Sequence, residues 1–153
     1  MAHSLNLTIR IKQDGDTLAR LAEFKNSFPA LQGRIATAMK KSCILHFARV
    51  VVIEDKYLQV LTEYDGDRQQ YTEFFRKELP DIFNAVFSLA DDVPTPQELS
   101  DPDLFFNYSK GKDIHPLGVS TSGDPTDNWV FSAYGNRTVR QILAALGEIP
   151  DNA

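Results

Sequence analysis

The side chains able to do chemistry gather in one stretch, Cys43 to Asp67 (CILHFARVVVIEDKYLQVLTEYDGD). His46 is the only histidine in an apolar run. A neutral imidazole there could ligate haem or a metal ion, or act as a general base. The plainer reading is a core histidine hydrogen-bonded to a neighbour, because no companion ligand stands at a metal-site spacing. Arg49 lies between Phe47 and Val51, where an unpaired charge would be costly, so it needs a carboxylate or an anionic ligand, and Glu63 is its expected partner. His46 and Arg49 are three residues apart, which in a regular strand sets them on opposite faces; only a bulge would bring them into one site. The expected ligand-binding set is His46, Arg49, Glu63 and Tyr64, with no catalytic role assigned and no metal site.

Other reactive types have structural explanations. Asp65 and Asp67 flank Gly66 and could serve as paired carboxylates, but a turn followed by a helix cap explains both. His115 sits in a polar stretch beside Asp113 and Pro116 and reads as solvated. Cys43, the one cysteine, has no Cys-x-x-Cys partner or adjacent base; it is expected as a buried thiol in a reducing compartment. The chain carries no phosphate-binding glycine loop, no Gly-x-Ser-x-Gly elbow and no His-Glu-x-x-His, which disfavours nucleotide hydrolysis and serine-hydrolase chemistry.

Composition narrows the classes further. A net charge of -5 with only two adjacent basic pairs, Lys40-Lys41 and Arg76-Lys77, argues against binding nucleic acid through its phosphates. The amino terminus lacks the order of a signal peptide, and no apolar run approaches the roughly 18 residues of a membrane helix. A cytoplasmic protein of one domain, residues 1 to 153, with no membrane partner, is the expectation.

The elements that must position these residues follow from periodicity. Leu5, Leu7, Ile9 and Ile11 alternate with polar residues and predict a strand with one wet face. Asp16 or Thr17 is expected to cap a helix ending near Phe28-Pro29, and a second helical piece carries Leu31, Ile35, Ala38 and Met39. Ile44 to Ile53 and Tyr57 to Tyr64 predict a central hairpin whose first strand is apolar on both faces and must be covered twice. Tyr71 to Val86 predicts a helix that kinks or restarts at Pro80. Thr95-Pro96-Gln97-Glu98 is a capping box opening a short helix through Leu104, Phe105 and Tyr108, and Ser109 to Asn128 predicts an irregular stretch. Trp129 to Tyr134 reads as a last strand, and Thr138 caps a final helix ending at Gly147.

That order is the α+β arrangement β-α-β-β-α-β of a ferredoxin-like antiparallel sheet with helices on one face, an insertion over about residues 94-128 and a trailing helix. With His46-Phe47-Ala48-Arg49 and Tyr64-Asp65-Gly66, the chain resembles the dimeric α+β-barrel superfamily, nearest to members of unassigned activity, some found alongside haem enzymes. The resemblance covers Leu5 to Tyr134 as topology. It implies a homodimer of face-to-face sheets, a small apolar ligand, and haem as a candidate cofactor in oxidative chemistry. The peroxidases of that superfamily have glycine three positions before the aspartate of an Asp-Gly pair. Here that position is Thr62, so Asp65 does not inherit their catalytic role. The alternative is a non-enzymatic interaction module that uses the sheet face or the 109-128 loop, anchored by Phe105, Phe106 and Tyr108.

Overall fold

A computed structural model describes residues 2–118 and 128–150. Three strands form one antiparallel sheet in the order β1-β3-β2, with β1 Ala2–Arg10, β2 Leu45–Ile53 and β3 Tyr57–Asp65. The hairpin joining β2 to β3 turns at Glu54 and Asp55, both left-handed (φ 51° and 54°), the backbone a tight turn needs to follow the sheet twist.

Helix α1 (Gly15–Ser27) leads through a 3-10 turn, Phe28–Leu31, into α2 (Gln32–Ser42). Its cap is Asp14, whose carboxylate accepts from the Thr17 N–H at 2.7 Å, earlier than the expected Asp16 or Thr17. Helix α3 (Arg68–Glu78) is capped by Asp67, and Pro80 opens a separate helix, α4 (Pro80–Phe87), rather than kinking one long helix. The expected short helix past Thr95 is two, α5 (Pro96–Ser100) and α6 (Pro102–Gly111). Pro102 cannot donate to the preceding turn, and Asp101 caps the restart. The last helix, α7 (Val139–Ala145), has its capping box from Thr138 and Gln141.

Leu5, Leu7 and Ile9 of β1, with Ile11 just beyond it, point to the helical side and bury against Leu21 and Phe24 of α1, Ile82, Val86 and Phe87 of α4, and Phe105 of α6. Phe105 packs edge-on to Phe83 and Phe87, and Tyr108 packs edge-on to Phe87. These two aromatics therefore belong to the core rather than to an interface.

Trp129 to Tyr134 is not a strand, and among the described residues the sheet has no fourth one. Three short segments meet the outer edge of β1 instead. Lys12 N–H donates to Leu89 O at 3.0 Å, and Asp91 N–H donates to Arg10 O at 2.9 Å. Thr8 N–H donates to Lys112 O at 2.8 Å and Ile114 N–H to Asn6 O at 2.9 Å, while the Asn128 amide donates to Ser4 O at 3.0 Å. The edge is satisfied piecewise, so no continuous strand is required there. The full β-α-β-β-α-β topology is thus reduced to a three-stranded α+β core compatible with it.

Cys43 closes α2 in a left-handed conformation (φ 52°) and is half-buried, not the core thiol expected. Among the described residues no helix is long and apolar enough to cross a membrane.

Candidate functional site

The expected strand geometry fails at one point, and that point builds the site. Leu45 pairs with Tyr64 and Phe47 with Glu63, so the register slips at His46 and β2 carries a bulge. A bulge puts two residues opposite one and turns the extra side chain. His46, Phe47, Arg49 and Glu63 consequently share one pocket on the sheet face away from the helices. Of the expected set, Tyr64 stays outside: it is buried on the helical face, its ring stacked on Tyr71 at 4.3 Å between centroids.

His46 Nε2 lies 2.9 Å from Asp65 Oδ1, with both side chains about nine-tenths buried. A carboxylate has no proton to give, so the imidazole donates and Nε2 carries the hydrogen. The other oxygen, Oδ2, accepts from the buried Val139 N–H at 2.7 Å, which fastens the start of α7 to the end of β3. Asp65 therefore holds a histidine and a helix at once; Asp67 does the capping.

Glu63 has a looser partner than expected. Its Oε1 is 3.9 Å from Arg49 Nη1, and the Arg49 side chain is 59% exposed, so the pair is screened by water. Glu63 Oε2 is buried and accepts no hydrogen bond among the described residues. Burial pushes its pKa above the ordinary carboxylate value, against the smaller opposing pull of Arg49 and His46. The pocket holds about 380 Å³ and is walled on its outer side by Val130 to Tyr134, the segment read as a strand. Sequence reasoning had no means of marking that segment as a wall, because a short run rich in aromatic and β-branched residues reads as a strand.

A second concavity, of about 510 Å³, lies on the helical face between α2 and the α3–α4 pair. Ile35 and Met39, Val50 and Val60, Phe75 and Ile82 line it, and Val50 is half-buried there. Its polar lining is the buried pair Thr62 Oγ1 and Tyr71 Oη, 2.7 Å apart, together with Gln32 and Arg49, which also lines the pocket beside His46. Burial pushes the Tyr71 phenol far up, so it stays protonated and able to donate. His46 does not line this cleft.

One buried carboxylate had no signal in the sequence. Asp113 accepts from the Asn6 N–H at 2.7 Å, from Arg68 at 2.5 Å and from the Asn128 amide at 2.8 Å, locking the β1 edge to α3. Those donors converge on one point from distant segments of the chain. His115 is exposed, as expected of a solvated residue. Residues 119–127 of the expected irregular stretch lie outside the described residues. Among the described residues no group of three or more potential ligands could hold a metal ion.

No protein-family model matches this chain, and neither a curated protein nor a solved structure matches it.

Proposed function

We propose that this protein binds a small apolar ligand in the cleft between β2–β3 and helices α2, α3 and α4. The observation that carries this reading is the open, apolar volume of about 510 Å³ beneath Val50 and Val60, a size ordinary for small-molecule sites. The concavity opens to solvent with an apolar lining, so an apolar occupant would remove that lining from water. The Thr62–Tyr71 hydroxyl pair, with Arg49 and Gln32 also on the lining, supplies polar points that would orient a ligand. Haem fits poorly there: no histidine lines the cleft, and His46 is committed to Asp65 on the opposite face. The oxidative branch of the resemblance therefore has no support from the cleft.

The test is a fluorescence titration with the neutral dye N-phenyl-1-naphthylamine. The wild type should enhance the dye with micromolar affinity, and Val50→Trp, which fills the cleft, should abolish the enhancement while leaving the far-ultraviolet circular dichroism intact. Absence of enhancement in the wild type, or equal enhancement in Val50→Trp, would overturn the reading.

A homodimer of the barrel type is a second proposal, favoured by the half of the open sheet face away from His46. Ile53 and Tyr57 are exposed there, beside the half-buried Val51 and Leu61. A strand apolar on both faces is ordinarily covered on both.

A further inference from the structure

The pocket beside His46 is chemically different from the apolar cleft and lies across the sheet from it. Its hydrogen-bonding inventory is one-sided. With Nε2 donating to Asp65, Nδ1 is an acceptor whenever the imidazole is neutral, and it makes no hydrogen bond among the described residues. Glu63 Oε2 is a second acceptor without a partner among the described residues, and its carboxylate is largely buried. An acceptor open to the pocket beside a largely buried carboxylate suits a ligand that brings donors and positive charge.

The walls point the same way. Phe47, Phe131 and Tyr134 line this pocket and are 59%, 86% and 57% exposed. Aromatic faces at the mouth of an anionic pocket attract cations through the ring quadrupole and shelter an apolar body attached to the cation. Arg49 is the one donor among the lining side chains that carries charge. At 3.9 Å it serves only the opposite oxygen, Oε1, and its exposure leaves it free to turn toward water. Water alone in this pocket could serve His46 Nδ1, but it would leave the rings unused.

We propose that this pocket is a binding site for a primary amine attached to an aromatic or apolar body, its ammonium paired with the Glu63 carboxylate and donating to His46 Nδ1, and its body lying among Phe47, Phe131 and Tyr134. Asp65 is a positioning residue in this site. It fixes the tautomer of His46, so that Nδ1 accepts rather than donates. Arg49 opposes the ligand as a like charge at the rim. Removing it should strengthen binding.

The experiment is isothermal titration calorimetry of the full chain with phenethylamine at about pH 8, where both the ligand and an ordinary carboxylate are charged. The wild type should bind it with submillimolar affinity, Glu63→Gln at least about tenfold more weakly and Arg49→Met more tightly, because a charged acceptor outweighs a neutral one and like charge repels. The carboxylate analogue 3-phenylpropionate should not bind. The Val50→Trp variant should bind phenethylamine as the wild type does, which separates this site from the cleft. The proposal is overturned if the wild type takes up no phenethylamine by about 10 mM, if 3-phenylpropionate binds equally well, or if Glu63→Gln leaves the affinity unchanged.

Discussion

Replacing Asp65 by alanine should be among the most damaging single changes in this protein, and replacing it by asparagine should be nearly harmless. The alanine variant loses both bonds at once: His46 Nε2 at 2.9 Å and Val139 N at 2.7 Å. Each is a hydrogen bond to a charged group, worth about 1.5–3 kcal/mol, and the Val139 N–H is left buried without a partner. Their sum, allowing for partial replacement by water, is about 3–5 kcal/mol. For a chain of this size that corresponds to a fall in Tm of about 6–20 °C. Asparagine keeps one carbonyl oxygen for Val139 N–H and offers an amide N–H to His46 Nε2, provided the imidazole moves its own proton to Nδ1. The neutral ring can do so, which limits the cost to about 1 kcal/mol. Urea unfolding followed by tryptophan fluorescence and circular dichroism measures both variants. The reasoning is refuted if Asp65→Ala loses less than about 1 kcal/mol, or if Asp65→Asn loses as much as Asp65→Ala. The asparagine variant also connects stability to binding, since its relocated proton turns His46 Nδ1 into a donor. It should bind phenethylamine more weakly while remaining folded.

Two further outcomes are expected. Burial raises the Glu63 pKa above its ordinary value of 4.5, so the folded state holds this proton more tightly than the unfolded state. Its contribution to stability is full below 4.5 and is lost as pH rises through the folded-state value. Glu63→Gln should therefore gain stability relative to the wild type between acidic and neutral pH, measured as the difference between their urea midpoints; a difference independent of pH counts against the burial argument. Ile53→Lys, placing a charge on the exposed half of the open sheet face, should shift the mass measured by sedimentation equilibrium from dimer to monomer. A wild type that sediments as a monomer ends the dimer reading.

Local signals in the chain were accurate wherever a short-range rule governs the backbone. The alternation from Leu5 to Ile11 placed β1 and its buried face, the two β-branched runs placed the β2–β3 hairpin, and Thr95-Glu98 and Thr138-Gln141 placed two helix starts. Gly66 adopts the positive φ that its turn position suggested (φ 86°). Boundaries slipped where two caps competed, as at Asp14, and where Pro102 divided one expected helix into two.

The candidate site was legible only in part. Residue type and neighbourhood singled out His46, Arg49 and Glu63, and the chain order allowed a bulge without requiring one. The bulge itself, the alliance of Asp65 with His46 and Val139, and the wall formed by Val130 to Tyr134 required coordinates. So did the replacement of a fourth strand by short contacts near Leu89, Asp113 and Asn128.

The physical reason is range. Hydrophobic alternation, capping and turn preference act between residues a few positions apart, so the amino-acid order alone determines them. Strand register at an irregularity, and the choice of which distant donor reaches a buried carboxylate, are settled by the joint packing of segments 19 to 125 positions apart in the chain. No local pattern encodes that competition. It decided that His46 faces away from the apolar cleft and toward Glu63.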